Sequence, residues 1–405
     1  MQHLLLAPLL AGLLTAAAAA PPPRQWQPAW ISSPQPAWGS EGVLPTGLPA
    51  RLDNVTLRQV VRTSVAGEAL RLVVDNAYGP QPLEIGSVTL RRAGGATAVR
   101  FGGREGLVVA PGARVVSDAV AHPVAAGERL VVDLHLPGPT ALAGFHWDAR
   151  EQTLLLRGRG PEVLQASTGR AFLTELQVAS TRPPASVVAL GDSITDGVGA
   201  TLGADQRWPD HLARRLAPHG VAVLNAGIAG NRLLRAGWGE SALARFEHDV
   251  LRHPGVRAVI VLLGTNDIGF PGSPFAPAEP PQTLAALQQG LRQLVGQAHA
   301  RGVRVVGATV PPFERALEGT PLEGHHSTAK EALRQALNAW MRSAGAFDAV
   351  VDFDAVLRDP ARPARLLPAL DSGDHLHPGD AGYRRMAEAV DLAALLGDAV
   401  PEAAR

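Results

Sequence analysis

The hydrophobic pattern of this 405-residue chain changes near residue 181, and that change limits the folds open to it. After this point, short runs of uninterrupted apolar residues alternate with segments of helical periodicity. Such runs are typical of parallel strands that helices cover on both faces. The predicted strands are residues 186–190, 221–225, 258–263, 303–309 and 349–352, and the predicted helices are residues 208–216, 283–301, 328–344 and 381–396. We therefore predict a three-layer α/β/α domain with a parallel sheet over residues 181–400.

The preceding segment has short alternating apolar runs, separated by turn residues, and it shows no helical period. This pattern is typical of an all-β sandwich or barrel. Residues 21–49 are rich in Pro, Gly and Ser and predict an extended lead-in. The predicted strands are residues 56–64, 69–75, 87–92 and 129–136. We therefore predict a β-rich, sandwich-like domain over residues 21–180.

The first twenty residues have the pattern of an export signal. A polar start is followed by an apolar run over residues 4–14 and by small residues over 15–20. A buried N-terminal helix is the alternative, but it would lack a polar face. The apolar run is too short to span a bilayer easily. We expect a secreted or periplasmic protein with no stable membrane insertion after signal cleavage.

Composition excludes several classes of function. The formal net charge at pH 7 is zero, so nothing attracts nucleic acid electrostatically and no nucleic-acid partner is expected. The chain contains no cysteine, which excludes a thiol nucleophile and cysteine-ligated zinc. Apolar residues make up 46% of the chain, enough for a large core without disulfides.

Four polar, turn-forming blocks stand out in the second half. Three follow predicted strands: Gly-Asp-Ser-Ile-Thr at 191–195, Asn-Ala-Gly-Ile-Ala-Gly-Asn at 225–231 and Gly-Thr-Asn-Asp at 264–267. The fourth, Asp-His-Leu-His-Pro at 374–378, lies near the C-terminus. In an open parallel sheet, the ligand crevice lies outside the carboxyl ends of the strands. We therefore expect the blocks to border one site.

The residue types in these blocks suit acyl transfer, which needs a nucleophile, a base, a group that orients the base, and oxyanion donors. Ser193 follows a strand directly, where its hydroxyl would be exposed. His377 is the candidate base, and the spacing puts Asp374 on the same side of a tight loop. Gly230 can present an unobstructed backbone N–H, and Asn266 can supply an amide donor. Each signal alone is weak, but their order and spacing together favour catalysis.

The four blocks together resemble those of the SGNH hydrolases, also called GDSL esterases and lipases, over residues 186–396. A β-rich first domain makes the chain similar to a two-domain bacterial group of polysaccharide-associated acylhydrolases. The resemblance implies a carboxylic ester hydrolase that needs no metal or cofactor. It implies Ser193 as nucleophile, His377 as base and Asp374 as its orienting partner. It also implies an oxyanion hole formed by the backbone N–H of Ser193, Gly230 and Asn266.

Several other residues in and near the four blocks allow a less specific interpretation. His375 competes with His377 for the role of base, but the spacing of the family selects His377. His325 and His326 are predicted to lie on the surface rather than to bind metal. We interpret three aspartates as caps that hold the blocks in shape, namely Asp192, Asp196 and Asp267. Three aromatic residues either line the cleft or pack in the core, namely Trp238, Phe270 and Phe275.

The predicted function is a secreted serine esterase that removes short acyl groups, chiefly acetyl, from a carbohydrate partner. Export and the absence of an amphipathic lid in Gly- and Pro-rich stretches such as residues 270–277 favour this substrate. The alternatives are a short-chain lipase or lysophospholipase and a non-catalytic carbohydrate-binding protein. A metal-dependent phosphodiesterase is disfavoured, because no paired carboxylate site is evident. The role of the β-rich domain stays open at this point.

Overall fold

The computed structural model describes residues 24–38, 44–92 and 95–397. The predicted export signal therefore lies outside the described residues. A β-rich domain precedes an α/β domain with a parallel sheet, which confirms the predicted fold class. None of the helices in the described part of the chain combines the length and the apolar composition that a membrane span needs.

Within the described residues, the β-rich domain contains seventeen strands: β1 (Gln25–Ile31), β2 (Gln35–Pro36), β3 (Arg51–Leu52), β4 (Val55–Arg62), β5 (Ala69–Asp75), β6 (Leu83–Ile85), β7 (Ser87–Arg92), β8 (Gly95–Val99), β9 (Leu107–Val109), β10 (Arg114–Val116), β11 (Arg129–Leu136), β12 (Thr140–Ala141), β13 (Gly144–His146), β14 (Thr153–Arg157), β15 (Val163–Ser167), β16 (Arg170–Ala171) and β17 (Leu173–Ser180).

Two antiparallel sheets dominate this domain. One has four strands in the order β1-β17-β5-β10, and the other has six in the order β15-β14-β4-β11-β7-β8. Apolar side chains from both sheets, including Leu57, Leu72 and Leu176, are fully buried in one core. A small three-stranded sheet, β16-β13-β2, lies beside them and carries residues that reach the second domain.

The Pro-rich lead-in contains a strand that the sequence analysis missed. β1 pairs antiparallel with β17, with Gln25 opposite Ser180, and its register shifts between Pro28 and Trp30. Proline cannot donate to a strand ladder, so it is tolerated at bulges and on edge strands. β1 is an edge strand of its sheet. The predicted lead-in is thus extended over β1, and the pairing of this segment with β17 is what the sequence analysis did not identify.

The α/β domain contains the strands β18 (Ser186–Gly191), β19 (Ala222–Gly227), β20 (Val256–Leu262), β21 (Arg304–Ala308), β22 (Ala349–Val351), β23 (Arg358–Asp359) and β24 (Arg362–Leu366), and the helices α1 (Ser193–Asp196), α2 (Trp208–Leu216), α3 (Ala242–Phe246), α4 (Thr265–Gly269), α5 (Leu284–His299), α6 (Thr328–Ser343), α7 (Phe353–Leu357), α8 (Asp380–Glu388) and α9 (Leu392–Leu396). A 3₁₀ turn (Ala217–His219) follows α2, and a π-helical turn (Glu247–Leu251) follows α3.

The parallel sheet has the strand order β19-β18-β20-β21-β22. The chain moves from β18 to one neighbour, β19, and then crosses over to the other neighbour, β20. The order thus reverses beside β18, and ligands of doubly wound sheets bind at such a switch point. The segments that follow β18 and β20 therefore border the expected crevice.

Two local predictions in this domain need correction. The predicted helix over residues 381–396 is divided into α8 and α9, because Asp391 caps a new helix by accepting from the amides of Ala393 (2.8 Å) and Ala394 (3.1 Å). The block at residues 264–267 was interpreted as a turn, but most of it belongs to the short helix α4.

The two domains are packed together. A single apolar cluster contains buried side chains of both, such as Leu176 and Leu224. Polar contacts also cross the boundary. The Gln27 side chain accepts from the amide of Ala185 at 3.0 Å, and β1 lies against β19. The β-rich domain is therefore fixed against the α/β domain near its switch point.

Candidate active site

Ser193 stands at the switch point of the parallel sheet. β18 ends at Gly191, and α1 begins at Ser193. Asp192 caps this short helix by accepting from the amide of Ile194 at 3.0 Å. Asp192 is completely buried, and burial raises the pKa of its carboxyl to about 7. The turn holds Ser193 on the floor of a cleft, with 9% of the residue exposed.

Asp374 and His377 reach Ser193 from the loop that precedes α8. His377 Nε2 lies 2.8 Å from Ser193 Oγ, and His377 Nδ1 lies 2.6 Å from Asp374 Oδ2. The other carboxylate oxygen accepts from the amides of Leu376 (2.9 Å) and His377 (2.8 Å). The structure thus places the three predicted residues in one hydrogen-bonded chain.

The Asp374 carboxyl is held in its ionised form. Burial opposes ionisation, but the charge of His377 and hydrogen bonds from its ring and from nearby amides outweigh burial. The pKa of Asp374 therefore lies well below its ordinary value. A carboxylate in this position keeps a proton on His377 Nδ1, so that Nε2 can accept the proton of Ser193.

The predicted oxyanion donors, Gly230 and Asn266, line the same cleft as Ser193. The Gly230 backbone is left-handed, with φ +75°, and an added Cβ would lie 2.7 Å from the Trp238 ring. Only glycine therefore fits this position. One proton of the Asn266 amide group is donated to the Asn231 carbonyl at 3.0 Å, which leaves the other free for a ligand. Within the described ranges, the amides of Ser193 and Gly230 donate to no acceptor in the protein.

The three aspartates interpreted as caps do hold the blocks together. Asp192 caps α1, as described above. Asp196 accepts from the amide of Ala229 at 3.2 Å, and Asp267 accepts from those of Leu233 (2.8 Å) and Leu234 (3.1 Å). Burial raises the pKa of Asp267 in spite of these hydrogen bonds. The interpretation of these residues as caps is therefore confirmed.

Residues 189–385 match the GDSL-like Lipase/Acylhydrolase family. All four blocks fall inside the matched range. The match covers most of the α/β domain and slightly less than half of the chain. The chain therefore carries a domain similar to the GDSL-like lipases and acylhydrolases, and we refer to this half as the GDSL domain.

Several solved structures are similar to this chain at low sequence identity. A GDSL-like lipase from Bacteroides thetaiotaomicron is 22% identical, with a TM-score of 0.38, and the match covers 52% of this chain and 87% of that one. The lipase/acylhydrolase from Enterococcus faecalis is 21% identical, with a TM-score of 0.37, and the match covers 51% of this chain and 92% of that one. A Geobacillus acetyl-xylooligosaccharide esterase is 22% identical, with a TM-score of 0.36, and the match covers 53% of this chain and 94% of that one. No curated protein matches the chain.

The cleft above Ser193 encloses about 190 Å³. The sequence left open whether Trp238, Phe270 and Phe275 line the cleft or pack in the core, and all three line the cleft. Phe270 and Phe275 are stacked, with ring centroids 4.6 Å apart. These side chains therefore contribute to the cleft wall of the GDSL domain, which the sequence could not decide.

The β-rich domain supplies part of the same cleft, through Leu44 and Trp147. The ring centroids of Trp147 and Trp238 are 5.9 Å apart, and Trp38 lies 4.9 Å from Trp238. The three tryptophans form an aromatic wall that joins the two domains. Sequence analysis missed Trp147, because nothing in its local sequence marks it as a neighbour of Ser193.

The other histidines of the GDSL domain have different surroundings. His375 has a positive φ of 60°, and its Nδ1 lies 2.5 Å from Asp371 rather than near Ser193. His325 is completely buried against Phe270, Phe275 and Phe313, so its predicted surface position is wrong. Burial lowers the pKa of His325 to about 3, which keeps its ring neutral. Its burial could not be predicted because its aromatic neighbours come from distant segments.

Among the residues that the structure describes, no three His, Asp or Glu side chains cluster as metal ligands would.

Proposed function

We propose that this chain is an exported serine esterase that removes short acyl groups, chiefly acetyl, from carbohydrate through an acyl-enzyme. Ser193 is the nucleophile, His377 the general base and acid, and Asp374 the residue that orients it. The observation that carries this proposal is the hydrogen-bonded chain Asp374–His377–Ser193, which ends in a cleft beside Gly230 and Asn266.

The first half of the reaction forms the acyl-enzyme. Ser193 Oγ attacks the ester carbonyl carbon while His377 Nε2 takes the hydroxyl proton. The carbonyl oxygen becomes an oxyanion, which accepts from the backbone amides of Ser193 and Gly230 and from the Asn266 side chain. The bond to the alcohol oxygen then breaks, and His377 gives its proton to the departing alcohol.

The second half restores the enzyme. Water attacks the acyl carbon while His377 takes one of its protons, and the same donors hold the second oxyanion. Collapse of this intermediate releases the carboxylic acid and returns the proton to Ser193 Oγ. Asp374 stays ionised throughout and stabilises the imidazolium that forms twice in each cycle.

A short acyl group suits the size of the cleft. Its volume of about 190 Å³ is below the range of roughly 300–1,000 Å³ typical of small-molecule sites. The aromatic wall favours a sugar as the alcohol part, because the apolar face of a pyranose packs against an indole ring. Trp147 and Trp238 are each only partly buried and border the cleft, so they are available for such contact.

A short-chain lipase is the second candidate, and the lining of the cleft favours it. Leu317, Leu322 and Leu376 lie around the triad and offer apolar contact to an alkyl chain. Each buried CH₂ would add about 0.8 kcal/mol to binding. The acyl-length dependence of kcat/KM therefore separates the two candidates.

A hydrolysis panel tests the proposal. Wild type and Ser193→Ala are compared on model esters from acetyl to long-chain, on acetylated xylan and pectin oligomers, and on phospholipid, with and without a chelator. We expect chelator-resistant hydrolysis of acetyl esters by wild type, and none by Ser193→Ala. A preference for chains of about eight carbons or more would contradict the deacetylase proposal. Hydrolysis retained in Ser193→Ala would overturn the assignment of Ser193 as the nucleophile.

Export is tested separately. The full chain and a variant without residues 1–20 are produced in a bacterial host, and the culture fractions are assayed by immunoblot. We expect a shortened mature form of the full chain outside the cytoplasm. Retention of both forms in the cytoplasm would contradict export without affecting the esterase proposal.

A further inference from the structure

A buried histidine of the β-rich domain contacts the catalytic segment of the GDSL domain. His146 ends β13, and its side chain is 7% exposed. His146 Nε2 lies 2.9 Å from Oδ1 of Asp196, the last residue of α1. On its other side, Nδ1 lies 2.9 Å from the carbonyl oxygen of Ser33. One imidazole ring thus joins the β-rich domain to the helix that begins at Ser193.

Both ring nitrogens of His146 face acceptors. A neutral imidazole has only one N–H, whereas an imidazolium has two. Both contacts are therefore satisfied only when the ring is doubly protonated. Burial and the neighbouring charge of Arg170 oppose protonation, but the Asp196 carboxylate and the Ser33 carbonyl outweigh them and raise the pKa of His146.

The contact continues from Asp196 to the predicted oxyanion hole. Asp196 Oδ2 accepts from the amide of Ala229 at 3.2 Å, and Ala229 directly precedes Gly230. The loop and α1 are also closely packed, since a Cβ on Gly227 would lie 2.2 Å from the backbone nitrogen of Asp196. The position of the Gly230 amide relative to Ser193 thus depends on where the Asp196 carboxylate is held.

We propose that His146 is a positioning residue: as an imidazolium, it fixes the Asp196 carboxylate and, through Ala229, the Gly230 amide that receives the oxyanion. The proposal rests on the esterase function proposed above. It makes the β-rich domain part of the catalytic apparatus as well as of the cleft wall. An error in the position of an oxyanion donor weakens binding of the transition state more than that of the substrate.

The kinetic test compares His146→Phe and His146→Gln on a small acetyl ester. Complete loss of one oxyanion donor lowers kcat by about 10²–10³-fold. A donor that is only displaced, as expected in His146→Phe, should lower kcat by about tenfold or more. KM should change by less than about twofold, because neither His146 nor Asp196 lines the cleft. His146→Gln retains a donor towards Asp196 and should recover part of the lost kcat.

A matched control and a double mutant separate positioning from general destabilisation. His135→Phe changes another buried histidine, which contacts Asn54 within the β-rich domain, and it should leave kcat unchanged. In an Asp196→Ala background, His146→Phe should cause little further loss, because residues that act in one chain are not additive. Additive losses, or equal losses in both phenylalanine variants, would overturn the proposal.

A spectroscopic measurement tests the charge in the wild type, independently of whether the variants fold. ¹⁵N NMR of histidine-labelled protein, followed through a pH titration, should show that the His146 ring, identified by its absence in His146→Gln, stays doubly protonated to a higher pH than an unperturbed imidazole, which titrates near about 6.5. A His146 ring that loses its proton at or below that pH would contradict the proposal. Absence of ester hydrolysis by wild type would instead contradict the proposed function, so the two failures are distinguishable.

Discussion

His377 and His375 differ by two positions in the chain, and their surroundings give them different tasks. The ring of His377 lies between Asp374 and Ser193, whereas the ring of His375 pairs with Asp371. His375 also has a left-handed backbone, with a φ of 60°. The sequence could rank these two histidines only by family resemblance, and the contacts of the two rings now give the physical reason.

His377→Ala should lower kcat nearly as far as Ser193→Ala, because the members of such a triad act as a unit. His375→Ala should change kcat little, and Asp374→Asn should be intermediate. Steady-state assays on an acetyl ester at neutral pH measure the ranking, with the Tm of each variant as a check on folding. A larger loss for His375→Ala than for His377→Ala would reverse the assignment.

Asp192 gives the stability of the protein a distinct pH dependence. Its pKa is raised by burial to about 7, so the folded state retains a proton that the unfolded state has already lost. Its contribution to stability is therefore full at acid pH and is lost as the pH rises through the raised pKa. The neutral variant Asp192→Asn should avoid this loss.

We expect the Tm of Asp192→Asn, relative to wild type, to increase as the pH rises from about 4 to about 7 and to level off above that. Differential scanning calorimetry at several pH values measures this difference. Asp210→Asn is a matched control, because the neighbouring Arg207 lowers the pKa of Asp210. Its pH-dependent contribution to stability therefore changes only below about pH 4, and its Tm difference should stay level from about pH 4 to about pH 7. A pH-independent difference for Asp192→Asn would contradict the assignment.

At the scale of elements, the loop after β19 needs a glycine for two independent reasons. The left-handed backbone of Gly230 disfavours any other residue, and a Cβ would lie against Trp238. Gly230→Ala should therefore displace the loop, lower kcat by about 10²–10³ and lower the Tm. Gly272→Ala controls for backbone strain alone, since its φ is +73° and no atom lies within 4 Å of an added Cβ. Equal kcat in both variants would contradict the oxyanion role of Gly230.

Strands and helices were predicted correctly where a local sequence pattern determines the structure. Continuous apolar runs gave the parallel strands, and the polar residues that follow β18 and β20 are brought together by the strand order. Prediction failed where structure depends on distant partners. β1 contains Pro28 and is a strand because β17 lies beside it. The break between α8 and α9 depends on a single capping side chain, Asp391.

At the scale of the whole molecule, the site belongs to both domains. Ser193, Asp374 and His377 were identifiable because each lies in a block with recognisable spacing. Trp147 and His146 were not, because a β-rich segment carries no local mark of what it will contact after folding. The domain whose role the sequence left open thus supplies one wall of the cleft and a buried partner for Asp196.

Trp147→Ala should affect large substrates more than small ones. Loss of the indole removes a surface for the sugar but leaves the triad intact, so KM for acetylated xylo-oligomers should rise by about tenfold, equivalent to about 1.4 kcal/mol. kcat/KM for a small acetyl ester should change little. Trp340→Ala, remote on α6 and packed against Phe347, is the control. Equal losses on both substrates would contradict a sugar-binding role of the aromatic wall.

The pairing of β1 with β17 has a consequence for how the chain reaches this structure. β1, the first strand in the described part of the chain, finds its partner only after the rest of the β-rich domain has been made, because Gln25 lies opposite Ser180. Contacts so distant in sequence close late and slow folding. Until then, β1 presents unpaired backbone groups and is open to pairing with other chains. A nascent chain arrested before residue 173 should therefore be far more prone to aggregation than one that includes β17.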